Sequence, residues 1–241
     1  MKISLCTTCM GRLHHLSQTL PKNLEDNKDH PDVEFVILNY NSQDGLDEWM
    51  KQYVPQMQSG RILYLKESTA KWYSMTHTRN IAFKAATGDV VCNVDADNLT
   101  GPFATELNRL ALEFKEKALF SKGKRLLHGR LGFFKKEFVG MLGGYDEDLI
   151  GYGHDDRDIF DRAMALGFKI ARFDGTTYIQ RLHHGRAERV EHMLEKDRRG
   201  MEERNRAISQ QKLANKVFKA NQGREWGSAT LIKNFTEEIK Q

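Results

Sequence analysis

The residues with the clearest chemical potential are Asp95 and Asp97, in the stretch Val90-Val91-Cys92-Asn93-Val94-Asp95-Ala96-Asp97-Asn98. A β-branched run ends there in two carboxylates spaced i, i+2. In extended chain those two positions point to the same side. The pair can offer oxygen ligands to one hard cation, and such a cation can carry a diphosphate. The ordinary alternative is a solvated turn, because Asp and Asn are common turn formers.

A second dense stretch runs from Gly143 through Asp158, with the core Gly151-Tyr152-Gly153-His154-Asp155-Asp156-Arg157-Asp158. Its density of glycines and acids argues against burial. Asp155 or Asp156 stands at the start of an apolar stripe, Ile159, Phe160, Ala163, Met164 and Leu166, that ends at Gly167. A helix dipole favours negative charge at that place. The competing reading is a helix cap on a solvated acidic loop. A third stretch, Arg181-Leu182-His183-His184-Gly185-Arg186, places two histidines in basic surroundings. Cys6-Thr7-Thr8-Cys9 has redox or zinc spacing. With three cysteines and no second such pair, it reads as an ordinary strand end.

The elements that must position these groups alternate. Strands are expected over Ile3 to Thr7, Val33 to Leu38, Arg61 to Leu65 and Asp89 to Val94. Apolar residues at 13, 16 and 20 have helical spacing, perturbed at Pro21. Leu46 to Tyr53 and Thr78 to Ala86 are expected helices, the latter closed by Gly88. The pattern predicts an open α/β sheet, mostly parallel, with ligands beyond the carboxyl ends of its strands. Thr7, Asn39 and Asp95 all fall at such ends. Further along, Pro102 to Phe114 is an expected helix, and Gly129 to Phe134 an expected strand followed by a short helix at Phe138. Phe168 to Phe173 and Thr176 to Leu182 are expected strands. Arg186 to about Ala220 reads as a long charged helix or helix pair, and Trp226 to Ile232 as a last strand or closing tail. Trp72-Tyr73 lies in a polar loop before His77, as core packing or as a flap.

Length and composition narrow the class. At 241 residues, 39% hydrophobic and 29% charged, the chain suits a globular core and not disorder. No apolar run approaches the roughly 20 residues of a membrane helix, and the first strand is too short for a signal peptide, so a cytoplasmic protein is expected. Net charge is +4. The excess is late: Arg181 to Arg224 holds twelve Lys/Arg against six Asp/Glu. That favours an anionic partner such as a nucleotide diphosphate, anionic lipid or nucleic acid, against the plainer reading of a solvated helix face.

From Ile3 to Arg12, Val33 to Asp44, and Thr78-Arg79-Asn80 followed by Gly88-Asp89 and Asp95-Ala96-Asp97, the chain resembles GT-A-fold nucleotide-sugar glycosyltransferases of the family 2 type. Gly151 to Arg162 is similar to the carboxyl-terminal motif of β-1,4-galactosyltransferases, commonly Gly-Trp-Gly-Gly-Glu-Asp-Asp-Asp followed by Ile-Phe-Asn-Arg. The resemblance spans residues 3 to about 190. It implies a GT-A, Rossmann-like domain over 1–185, with a nucleotide-binding half (1–100), an acceptor-binding half (101–185) and a helical extension over 186–241 packed on the same domain.

The resemblance also implies roles. Asp97, and less directly Asp95, would bind Mn2+ or Mg2+, with His184, or its neighbour His183, as a further ligand. Thr7, Arg12, Asn39 and Arg79 would line the nucleotide. Many relatives carry Asp where Asn39 stands; since Asn both donates and accepts, a UDP-sugar is the expected donor. Asp156 matches the general base and Asp155 the residue that orients the acceptor. Tyr152 stands at a Trp position that stacks on the acceptor. His154 and Arg157 depart from the pattern, which bears on the acceptor more than on the chemistry. The expectation is an inverting, metal-dependent glycosyltransferase. Its acceptor would be a glycan, a lipid-linked sugar or a modified base in nucleic acid. The competing class is a non-catalytic nucleic-acid-binding protein. The sequence leaves the sugar, the acceptor, uridine against guanosine in the donor, and the oligomeric state open.

Overall fold

The computed structural model describes residues 1–123, 130–183, 185 and 187–241. In chain order the elements are β1 (Ile3–Cys9), α1 (Leu13–Asp26), β2 (Val33–Tyr40), α2 (Leu46–Met50), α3 (Val54–Gln58), β3 (Ile62–Glu67), α4 (Met75–Ala85), β4 (Val90–Asn93), β5 (Asn98–Leu99), α5 (Phe103–Phe114), β6 (Ala118–Ser121) and β7 (Gly132–Phe134). There follow α6 (Lys135–Glu137), α7 (Asp155–Ala165), β8 (Lys169–Arg172), α8 (Gly175–Tyr178), β9 (Gln180–Arg181), α9 (Arg198–Ala214), β10 (Thr230–Lys233) and β11 (Glu237–Lys240).

Among the described residues, nine strands form one sheet in the order β11-β10-β3-β2-β1-β4-β7-β6-β8. The central four, β3, β2, β1 and β4, run parallel. They are buried on both faces, which is why Val-Glu-Phe-Val-Ile-Leu-Asn-Tyr reads as a nearly continuous apolar run and not an alternating one. Of its two polar residues, Glu34 and Asn39, Glu34 is buried with partners: it accepts from Ser4 Oγ (3.0 Å) and the Thr87 N–H (2.8 Å), and pairs with Lys2 (3.3 Å). The chain runs outward from β1 to β3 and returns on the other side as β4. The strand order therefore reverses between β1 and β4, and their carboxyl ends open a crevice.

Several elements differ from expectation. α1 continues through Pro21, giving up one ladder bond while its buried face stays packed. Thr176 to Leu182 is not a strand: Asp174 caps the short α8 by accepting from the Thr176 N–H, and only Gln180–Arg181 pairs, with β5. The tail is not wholly helical. α9 is preceded by a 3-10 turn at Ala187–Val190, and residues 230–240 form a hairpin that extends the sheet beside β3. Cys6 and Cys9 are buried on opposite faces of the sheet as free thiols, as strand alternation requires of positions three apart.

Candidate active site

The crevice at the ends of β1 and β4 is a cavity of about 790 Å3. Asp95, Asp97, Tyr152, Asp155 and Asp156 all line it, together with Thr8 from β1, Arg12 and Arg79.

The turn carrying Asp95 and Asp97 is fixed from below by the polar side of α1. Thr19 Oγ1 donates to the Ala96 carbonyl (2.6 Å). Asn23 Nδ2 donates to the Asn98 carbonyl (2.9 Å), and its Oδ1 accepts from the Thr100 N–H (2.8 Å). Asn27 does the same one turn later, to the Gly101 carbonyl (2.9 Å) and from the Ala104 N–H (2.8 Å). These three residues are spaced by four, so one helical face meets backbone groups along the loop from Ala96 to Ala104. The carboxylates are steadied by neighbouring amides: Asn93 Nδ2 donates to Asp95 (2.8 Å) and Asn98 Nδ2 to Asp97 (2.7 Å). The Asp97 carbonyl accepts from the Leu182 N–H (2.8 Å), which ties the segment after β9 to the same turn.

The second acidic stretch is substantially buried, contrary to the expectation from its composition. Tyr145, Asp146, Leu149, Asp155 and Asp158 are all inside. Each buried acid has a cationic partner: Asp146 meets Lys212 (2.6 Å), Asp158 meets Arg162 (2.8 Å), and Asp155 meets Arg79. α9 clamps the loop, with Asn205 Nδ2 donating to the carbonyls of Ile150 (3.1 Å) and Gly153 (3.0 Å). His154 takes a left-handed backbone (φ 66°) just before α7, which delivers Asp155 and Asp156 in the first helical turn.

Arg79 joins the two motifs. It is 3% exposed, and one guanidinium nitrogen contacts both Asp155 and Asp156 (2.8 Å to the latter). Another lies 3.7 Å from Asp95. Burial pulls the guanidinium's pKa down, but Asp156 and Asp155 outweigh it and raise it well above the usual range. Burial pushes the Asp155 carboxyl up to about 7, with the Asp156 charge adding and Arg79 opposing.

The opposite rim is a clasp. Arg12 pairs with Glu188 (3.3 Å), as do His14 (3.5 Å) and His15 (3.2 Å). The Gly185 N–H, with His15 and Arg12, holds the Glu188 carboxyl down to about 2. Tyr73 N–H donates to the His192 carbonyl (2.8 Å), and the Tyr73 and Thr8 hydroxyls are 2.6 Å apart, while Trp72 is exposed. His192 passes so close to Gly11 (φ 67°) that a Cβ there would collide with the imidazole. His14, His15 and Glu188 bring three ligand atoms within 4.8 Å of one another. Arg12 shares the same carboxylate, however, so the group is an ion-pair clasp. Asp95 and Asp97 suit a divalent cation better, as paired oxygen donors on the cavity wall.

Residues 4–136, more than half of the chain, match the family described as Glycosyl transferase family 2. The chain belongs to that family. Residues 109–185 match a family described as the N-terminal domain of galactosyltransferase. The family 2 chain is similar in fold to mannosyltransferase PcManGT from Pyrobaculum calidifontis in complex with GDP-Man and Mn2+, at 20% identity and TM-score 0.59, covering 74% of this chain and 56% of that one. It is similar to S. aureus TarS 1-349 in complex with UDP-GlcNAc, at 15% identity and TM-score 0.61, covering 77% and 60%. It is also similar to GalNAc-T7 with UDP, GalNAc and Mn2+, at 14% identity and TM-score 0.56, covering 70% and 42%. The chain thus spans about 60% or less of the length of these proteins. No curated protein matches it by sequence. The architecture is that of the GT-A glycosyltransferases.

Within this family 2 fold, not every expected residue reaches the cavity. Asp95, Asp97, Asp155, Asp156, Arg79, Arg12 and Tyr152 do. Thr7 does not; it is buried in β1, and strand alternation gives its place on the wall to Thr8. Asn39 is fully buried, with Nδ2 donating to Tyr64 Oη (2.9 Å) and Oδ1 accepting from the Ser42 N–H (2.8 Å). His183 is exposed and not on the wall, and His184 lies outside the described residues. Tyr152 does not offer a bare ring: Arg198 sits over it at 5.5 Å from the centroid, and Arg189 Nη1 is 3.5 Å from its hydroxyl. Sequence patterning had not singled out Arg189, Arg198 or the Thr19-Asn23-Asn27 face. Among the described residues no helix is long and apolar enough to cross a membrane.

Proposed function

We propose that the protein transfers a sugar from a nucleotide-sugar, a UDP-sugar in the first instance, to an acceptor hydroxyl with inversion at the anomeric carbon. The observation that carries this reading is that Asp97 and Asp156, from motifs about sixty residues apart, open on one cavity. Family membership and the likeness to proteins holding GDP-Man, UDP-GlcNAc, UDP and Mn2+ support it.

In this reading residues 1–100 form the nucleotide half and 101–185 the acceptor half, with 186–241 packed on both. Asp95 and Asp97, with His184 where the family resemblance puts a histidine ligand, would hold Mn2+ or Mg2+. When bound, that cation neutralises charge developing on the leaving diphosphate. Asp156 takes the proton from the acceptor hydroxyl as its oxygen bonds to the anomeric carbon and the bond to the diphosphate breaks. Arg79 holds Asp156 in place, and Asp155 and Tyr152 position the acceptor. Arg12 and Thr8 border the nucleotide. Uracil recognition by Asn39 requires it to exchange its contacts with Tyr64 or Ser42.

A donor-hydrolysis assay with manganese and a panel of UDP-sugars tests the proposal. Turnover of at least one donor, dependent on the metal, is expected. Absence of turnover together with absence of a nucleotide-induced shift in melting temperature contradicts it.

A further inference from the structure

The late basic excess suggested a broad anionic partner, but along α9 four of the five basic residues are matched within the chain. Arg199 pairs with Glu203 (2.7 Å), Arg204 with Glu195 (3.0 Å), Arg206 with Glu202 (3.5 Å), and Lys212 with Asp146 and Asp148. On the cavity wall Arg12, Arg79 and Arg157 are matched as well. Among the described residues that leaves Arg181, Arg189 and Arg198 on the wall with no carboxylate in ion-pair range. Arg181 pairs through its backbone with Asn98, beside Asp97, at the donor end. Arg189 and Arg198 both converge on Tyr152, at the acceptor end.

Resting on the proposed transferase reading, we infer that the acceptor carries a phosphate group, held by Arg189 and Arg198 against Tyr152. Two uncompensated guanidinium groups from different segments, the turn at 187–190 and the start of α9, meet at one ring. A single arginine already satisfies both oxygens of a carboxylate in a bidentate pair. Two arginines suit a group with more oxygens and up to two charges. A polynucleotide needs a continuous run of free cations, and the ion pairs along α9 remove it. The fit is to one discrete phosphate beside the hydroxyl that Asp156 would deprotonate.

The test compares glycerol, glycerate and glycerol 3-phosphate as ligands of the full chain, by calorimetry, with and without UDP and Mn2+ to fill the donor end. Glycerol 3-phosphate is expected to bind at least tenfold more tightly than the other two, with UDP present, and the R189Q/R198Q variant to lose that preference. Both side chains are exposed, so the variant should fold; circular dichroism and the single variants R189Q and R198Q check this. Equal binding of the three probes, a preference for glycerate, or an unchanged phosphate preference in R189Q/R198Q overturns the inference. So does tighter binding of oligothymidylate that survives in the double variant, which would indicate a nucleic-acid acceptor. Failure of UDP and Mn2+ to bind, with the phosphate preference intact, would remove the transferase reading and leave the anion site standing.

Discussion

Arg79 and Asp156 meet at 2.8 Å across the cavity, although they are 77 residues apart in the chain. The same guanidinium nitrogen contacts Asp155, and its neighbour approaches Asp95. One buried cation thus fixes the acidic turn of α7 relative to the turn after β4. The two acidic motifs are held in register by a side chain that belongs to neither.

Removing that cation leaves Asp155 and Asp156 without their partner in a mostly buried place. Arg79→Leu is expected to destabilise the fold by about 3–5 kcal/mol, as for other broken buried pairs. Urea denaturation measures it. A loss within experimental error would mean the carboxylates do not depend on the guanidinium.

Asp156→Asn keeps the shape of the side chain and removes its ability to take a proton. Transfer is expected to fall by about 10²–10⁴-fold, with donor affinity little changed. Steady-state rates alongside UDP titration calorimetry separate the two effects. A variant that retains half its rate would exclude Asp156 as the base.

Burial raises the Asp155 carboxyl to about 7, above the value near 4 that an unfolded chain gives it. A raised acid contributes its stability at pH below about 4 and loses it as pH climbs through about 7. Asp155→Asn should therefore be no more stable than the parent at about pH 4 and more stable at about pH 8. Transfer should also rise along a limb centred near pH 7 as Asp155 gives up its proton, and the Asn variant should flatten that limb. Chemical denaturation and rate profiles across pH read both. The opposite ordering of stabilities would show that Arg79 dominates the pair.

Asn27→Ala strips the Ala104 N–H of its acceptor inside the protein and frees the loop that follows Asp97. The expected cost is about 1–3 kcal/mol, with weaker manganese-dependent UDP binding. The same change at exposed Asn215 should cost a few tenths at most. Equal effects at the two positions would remove α1 from the support of the site.

Much of the fold was readable from residue pattern. The strands leading to β4 announce themselves as β-branched runs, and the acids of α7 sit before an apolar stripe with helical period. Other features depend on contacts that no local pattern encodes. Thr7 and Thr8 are equivalent in composition; only the pleat of β1 decides which faces the cavity. Asn39 stands at a strand end, yet Tyr64 and Ser42 close over it. The Gly143–Asp158 stretch looked solvated because its counter-charges, Arg79, Arg162 and Lys212, come from elsewhere in the chain. The Thr19-Asn23-Asn27 spacing was visible, as polar residues four apart on a helix, and its meaning emerged only when the loop beneath was in place. The hairpin at 230–240 finds its partner in β3, more than 160 residues earlier.

The central claim is that Asp97 belongs to a metal and nucleotide site while Asp156 acts on the acceptor in the same cavity. Electron paramagnetic resonance of free Mn2+, titrated into protein with UDP, tests it most directly. The parent and Asp156→Asn should deplete the free-ion signal alike, and Asp97→Asn should not. Depletion by Asp97→Asn equal to the parent's, or its loss in Asp156→Asn, would contradict the division of labour between the two carboxylates.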